Sequence, residues 1–285
     1  MAGITEEEKQ AQKYMTTDIR TRNNVRVLGR ADGPVLLFAH GFGCDQGMWE
    51  GVLPYFTDEY KVVLFDHVGA GNSDIAAYTP AKYSALDGYV NDVLELCEEL
   101  DLQDVTFVGH SVSAMMAIAA GASAPARLAR LILVAPSASY MDYPEDGYEG
   151  GFSRADLDEL LDSLDTNYLV WAANMAPVIM GNPEAPALSS RLEGSFCRVN
   201  PSIARQFARV AFLSDVRHLL TQVAFPTLIM QASSDLLCPP HVGRYLQDRI
   251  PQSTLVQMQA TGHLPHVSAP DETAAIILRY LQQSK

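Results

Sequence analysis

VTFVGHSVSAMM, residues 105–116, decides the fold. Residues 105–108 form a short apolar run without polar alternation, as a strand reads when both its faces are covered. Residues 113–121 are small and apolar and read as a buried helix. Only Gly109-His110-Ser111-Val112-Ser113 separates the two, so the chain must turn sharply at Ser111. Such a turn strains the central serine and exposes its hydroxyl, and it needs small residues two before and two after. Gly109 and Ser113 fill those places, so the usual G-x-S-x-G is matched except for a serine at its end.

Further apolar runs of strand length lie at 35–39, 62–65, 131–135 and 227–230, rich in Val, Ile, Leu and Phe. Helical patterns at 86–100 and 273–281 fall among them, and strands alternating with helices imply parallel βα units. Between 137 and 223 strand-like runs stop. Helical stretches are expected near 154–164, 168–180, 187–198 and 202–212, broken at Gly150-Gly151, Gly181-Asn182-Pro183 and Asn200-Pro201. A helical block inside an α/β pattern reads as an insertion, here a lid over the sheet.

The partners of Ser111 follow from chain order. A serine hydroxyl is a weak nucleophile until a base takes its proton. Asp235 lies in a loop just past the run 227–230 and before Pro239-Pro240. His263 follows Gly262 after a strand expected at 254–258. Ser, Asp and His in that order, each at a strand's C-terminal edge, make a triad of nucleophile, orienting acid and general base. Of the seven histidines, His266 is the main rival and reads as structural beside Pro265. His40 and His110 flank the expected site and read as loop supports. The loop His40-Gly41-Phe42-Gly43 would supply one oxyanion N–H from Phe42, with Val112 supplying the other. The strand-end loop 66–73 reads as structural support; it is not a GxGxxG. No HExxH or comparable spacing exists, so neither a metal nor another cofactor is expected.

Composition narrows the class. The chain has 285 residues, 48% hydrophobic and 19% charged, which suits one large α/β domain with an insertion. A formal net charge of −14 repels phosphate backbones and anionic membranes, so neither nucleic acid nor membrane is an expected partner. Cys44, Cys97, Cys197 and Cys238 show no CxxC spacing and read as unlinked thiols of a reducing compartment. The polar N-terminus lacks a signal-peptide core and no run approaches ~20 apolar residues, so a cytoplasmic protein is expected.

HGFGCDQ at 40–46, FDHVGAGNSD at 65–74, FVGHSVSAM at 107–115, YEGGF at 148–152 and GHLPHVSAPDE at 262–272 resemble the RsbQ-like α/β-hydrolases. These are bacterial proteins that activate a stress-response phosphatase. The same motifs look like those of the plant strigolactone and karrikin receptors, and the likeness covers about residues 22 to 283. The resemblance implies an α/β-hydrolase fold, a mostly parallel eight-stranded sheet under a V-shaped four-helix lid. It divides the chain into a polar extension at 1–22, hydrolase core at 23–136, lid insertion at 137–223 and core again at 224–285. It places Ser111, Asp235 and His263 on the triad, Phe42 and Val112 on the oxyanion hole, and Tyr140, Phe152, Trp171 and Phe212 around an apolar pocket. From the residues alone such aromatics are more often lid core than ligand contacts.

Three functions remain open at this level. One is hydrolysis of a small, largely apolar ester or lactone through an acyl-Ser111 intermediate. Another is a low-turnover ligand-binding switch acting on a PAS-domain phosphatase. The third is other triad chemistry, such as a carbon–carbon hydrolase or a haloperoxidase. A dehalogenase is excluded, because it needs Asp where Ser111 stands.

Overall fold

The computed structural model describes residues 18–283. Most of the extension expected at 1–22 lies outside them. Its last residues, 18–22, pack on the core: Asp18 caps one helical turn, Ile19 is buried, and Arg22 pairs with Asp92 at 3.0 Å and Glu95 at 2.6 Å.

Seven strands form one sheet among the described residues: β1 (Arg26–Gly29), β2 (Val35–Ala39), β3 (Lys61–Leu64), β4 (Val105–His110), β5 (Leu128–Val134), β6 (Thr227–Gln231) and β7 (Ser253–Gln257). Their order is β1-β3-β2-β4-β5-β6-β7, with β1 antiparallel to β3 and every other neighbour pair parallel. Among the described residues the sheet therefore has one strand fewer than the resemblance implied. The residues just before β1 form a turn of helix at Ile19–Arg22. β1 was absent from the apolar runs because it is a half-exposed edge: Arg26 and Leu28 are partly buried, Val27 and Gly29 exposed. Central strands β2, β4 and β6 are buried along almost their whole length.

Four helices follow the strands in chain order on the core: α1 (Leu86–Glu99), α2 (Val112–Ser123), the helix Pro240–Arg249 between β6 and β7, and the helix Pro270–Gln283 after β7. Between β5 and β6 the chain leaves the sheet for α3 (Arg154–Thr166), α4 (Tyr168–Met180), α5 (Pro186–Arg198) and α6 (Pro201–Leu213). Caps set their limits. Ser153 and Asp156 form a capping box for α3, Asn167 caps α4, and Gly181, with φ +66°, ends it. Asn200 caps α6, with Pro201 at its first position. One apolar core joins these four helices to α1, α2 and one face of the sheet; a second fills the other face.

β4 and α2 meet in a close joint at Ser111. Ser111 sits at φ 58°, ψ −122°, a conformation that costs of order 1–3 kcal/mol and survives only where its surroundings hold it. They do so through a hydrogen bond from the Ser111 N–H to Val134 O at 3.0 Å. A Cβ on Gly109 would stand 2.3 Å from Ser113 O, so only glycine lets α2 pack this close to β4. Gly109→Ala should therefore cost about 1–3 kcal/mol, read as a lowered urea midpoint at unchanged slope; an unchanged midpoint would show that the joint has slack.

Candidate active site

The loops at the C-terminal ends of β2, β3, β4, β6 and β7 converge on Ser111. Its Oγ lies 2.8 Å from His263 Nε2, and His263 Nδ1 lies 2.8 Å from Asp235 Oδ2. Asp235 Oδ1 accepts the N–H groups of Leu237 at 2.9 Å and Cys238 at 3.2 Å, which fixes the carboxylate against rotation. All three residues are buried. With Asp235 an acceptor, Nδ1 of His263 carries the proton, and Nε2 is left to accept the Ser111 hydroxyl. Proton removal from Ser111 is thus prepared in the ground state.

Tyr140 adds a contact that its reading as a pocket aromatic did not contain. Its hydroxyl lies 2.9 Å from Ser111 Oγ. Burial raises the phenol well above its ordinary pKa of 10.0, so it is protonated and able to donate. Tyr140 lies six residues past the end of β5, where strand-end geometry points it at the site; no motif marks it.

Phe42 follows Gly41 at the end of β2, and Val112 opens α2. The N–H of a first helical residue has no partner within its helix, so Val112 offers a donor beside Ser111. The Phe42 ring meets Trp171, Phe196, Phe207 and Phe212 at centroid distances of 5.7–6.2 Å.

The supports are histidines. His110 donates from Nε2 to the His263 carbonyl at 2.8 Å, tying the nucleophile's strand to the base loop. His40 donates from Nδ1 to Gly41 O at 2.9 Å and accepts the His67 N–H at Nε2, 3.1 Å. Ser113, where glycine was expected, donates to His40 O at 2.5 Å and lies 2.8 Å from His67 Nε2. Its hydroxyl thus fastens the loop after β2 to the turn at Ser111. In the loop 66–73, Asp66 accepts the Gln46 and Asn72 N–H groups and the Asn24 side chain. His266 is stacked on Trp49, centroids 4.1 Å apart, and neither ring nitrogen meets a partner among the described residues.

A small apolar cavity opens on Ser111 and His263. Tyr140, Phe212 and Phe42 line it with Ile179, Leu192 and Phe196. Trp171 and Phe152 do not. Trp171 is buried one layer back, against Phe42 and Phe196. Phe152 is held by main-chain bonds to Tyr140 and Asp142, with its ring half-buried in the core. Asp235, Cys238 and His263 are the one set of potential metal ligands close together among the described residues. His263 and Asp235 are already bonded to each other, and burial pushes the Cys238 thiol well up, so this set suits the triad better than an ion. All four cysteines are free thiols. No helix among the described residues is long and apolar enough to cross a membrane.

Comparison with known proteins agrees with this geometry. The Alpha/beta hydrolase family matches residues 36–276. The Karrikin insensitive 2 receptor CA of Petunia hybrida is 35% identical over 92% of this chain and 97% of its own. The Strigolactone esterase D14 of Arabidopsis thaliana is 36% identical over 90% and 96%. A solved hydrolase from Oleispira antarctica superposes with a TM-score of 0.89 at 40% identity, covering 93% of this chain and 96% of that one.

Four histidines here, His40, His67, His110 and His266, are held below their ordinary pKa of 6.5, in each case chiefly by burial, His266 to about 3. A depressed histidine takes up its proton more readily in the unfolded chain. Its stabilising effect is therefore complete above 6.5 and lost as pH falls, at up to ~1.4 kcal/mol per pH unit for each group. Thermal midpoints should fall on acidification from pH 7 towards 4. His266→Phe, which keeps the stack on Trp49, should soften that fall; identical pH slopes in both proteins would rule His266 out as a contributor.

Proposed function

The chain belongs to the alpha/beta hydrolase family, and we propose that it cleaves a small, largely apolar ester or lactone through an acyl-Ser111 intermediate. The observation that carries the reading is the unbroken run of contacts Ser111–His263–Asp235 beside an apolar cavity. In the first half-reaction His263 Nε2 takes the hydroxyl proton as Ser111 Oγ bonds to the carbonyl carbon. The carbonyl oxygen gathers negative charge and receives the Phe42 and Val112 N–H groups; loss of one such donor typically costs 10²–10³ in kcat. The C–O bond to the leaving group then breaks, and His263 returns the proton to the departing oxygen. In a lactone that oxygen stays tethered to the acyl group. In the second half-reaction His263 takes a proton from water as the water oxygen bonds to the acyl carbon; the bond from that carbon to Ser111 Oγ then breaks, His263 returns the proton to Oγ, and the acid leaves.

The enclosed cavity supports small substrates. Phe212, Ile179, Leu192 and Phe196 come from the lid helices and close over the nucleophile, which leaves no groove for a polymer or a triglyceride. A second reading rests on the receptors among the relatives: an RsbQ-like stress-signalling switch, in which ligand under the lid alters contact with a PAS-domain phosphatase. Cytoplasmic action suits both readings, since four free thiols, three of them buried, fit a reducing compartment.

A serine-directed phosphonate should add one mass equivalent to the wild-type protein and none to folded Ser111→Ala; label persisting in that variant would remove Ser111 as the nucleophile. For short p-nitrophenyl esters, His263→Ala should lower kcat by ~10⁴ or more, and His266→Ala should change it little. Equal losses in the two folded variants would leave the base unassigned. Hydrogen exchange across 137–223, with and without the phosphonate adduct, separates the two readings: an unchanged lid favours the plain hydrolase over the switch.

A further inference from the structure

The middle two lid helices touch both loops on which the reaction depends. α5 is seated on the oxyanion loop. Ser195 Oγ, buried, donates to Gly43 O at 2.8 Å, and a Cβ on Gly43 would stand 2.0 Å from the Phe196 ring. Arg198 pairs with Asp45 at 2.6 Å, and Arg191 donates to Gly47 O at 2.7 Å.

α4 is seated on the base loop. The last carbonyls of a helix have no partner within it. Here one of them, Ile179 O, accepts the backbone N–H of His263 itself at 2.9 Å. Gly262, at φ +82°, lies so close to the helix end that a Cβ would stand 1.7 Å from Met180 O. Asn182, just past the helix, donates to Thr261 Oγ1 at 3.0 Å. The same Gly262 donates to Ser234 O at 2.7 Å, which brings in the loop that carries Asp235. α4 and α5 are packed along each other and joined by residues 181–185 alone.

We propose that the α4–α5 hairpin is a brace that fixes the oxyanion loop and the base loop relative to each other, with Ser195, Gly262 and Asn182 as positioning residues for hydrolysis. The proposal rests on the assignment of His263, Phe42 and Val112 given above. Each clamp holds backbone, and the oxyanion donors and the base are both set by backbone, so a small displacement at either clamp changes the distance across the reacting carbonyl. A misplacement of ~1 Å can cost about 10²-fold in rate. α3 differs: its Asp165 is ion-paired to Arg209 of α6, lid to lid.

The test is steady-state kinetics on p-nitrophenyl acetate together with the rate of phosphonate labelling. Gly262→Ala should lower kcat and the labelling rate by about 10²-fold with KM within a few-fold. Ser195→Ala, which removes one neutral hydrogen bond, should lower both by about tenfold. Gly147→Ala is the control, because Gly147 has a comparable φ of +63° with nothing within 4 Å of an added Cβ; it should leave kcat unchanged. Folded Ser195→Ala and Gly262→Ala with wild-type kcat would overturn the brace. So would a raised KM alone, since the hairpin would then only shape the cavity. If Gly262→Ala does not fold, Ser195→Ala decides. Failure of the nucleophile assignment shows separately, as label retained in Ser111→Ala.

Discussion

Ser111 can hold its strained backbone only because β4 and α2 meet with almost nothing between them. Gly109 leaves room for Ser113 O, and the Ser111 N–H finds Val134 O on the neighbouring strand. This one joint sets the position of everything else at the site. It raises the nucleophile above the sheet edge and puts the first N–H of α2 beside it. It also brings the Ser113 hydroxyl onto His40 O, fastening the β2 loop to the same turn. The nucleophile and both expected oxyanion donors are thus referred to one short piece of backbone. The base and acid arrive from β7 and β6 and must be registered to it by other means, which is the work of His110, through the His263 carbonyl, and of the helix end at Ile179.

What the sequence makes legible follows from how local each signal is. A central strand buried on both faces reads as an unbroken apolar run, so β2, β4, β5 and β6 could be placed to within a few residues. The helices of the insertion were legible for a different reason: turn residues break them at Gly150-Gly151, Gly181-Asn182-Pro183 and Asn200-Pro201, and in the structure Gly181 ends one helix and Asn200 caps another. β1 was not legible, because a half-exposed edge strand containing Arg26 and Gly29 has no unbroken apolar run. Chain order brought out Ser111, Asp235 and His263, since order is itself a property of the sequence. Layer depth is not. Trp171 and Phe196 are both aromatic residues on lid helices; one lies behind the wall and the other on it, and only packing separates them. The Tyr140 contact with Ser111 escaped for the same reason, being a pairing across 29 residues with no motif at either end.

The hydroxyl contacts have one consistent direction. The protonated Tyr140 phenol donates to Ser111 Oγ, Ser111 donates to His263, and His263 donates to Asp235. Each group has one hydrogen to give, and each gives it inward towards the carboxylate. A buried chain of this kind is stabilising only when every member is satisfied. Around it the four other buried histidines stay neutral through burial, so no second positive charge competes for Asp235. The low dielectric that keeps them neutral also strengthens the contact between Asp235 and His263 when the latter takes the serine proton. Stability lost at acid pH and charge order in the active site therefore have one physical origin.

That same environment bears on how the reaction ends. An ester or lactone is neutral and enters an apolar cavity without losing a hydration shell of charge. Its hydrolysis product is a carboxylate. Apart from the histidines His110 and His263 the cavity walls are uncharged, Tyr140, Phe42, Ile179, Leu192, Phe196 and Phe212 among them, and they include no lysine or arginine. Burying an unpaired carboxylate there is costly, whereas burying the parent ester is not. The chain as a whole carries a formal net charge of −14, which does not favour holding an anion either. The cavity thus distinguishes substrate from product by charge alone. For the ester or lactone proposed above, the apolar lining that admits the substrate would therefore also favour release of the acid.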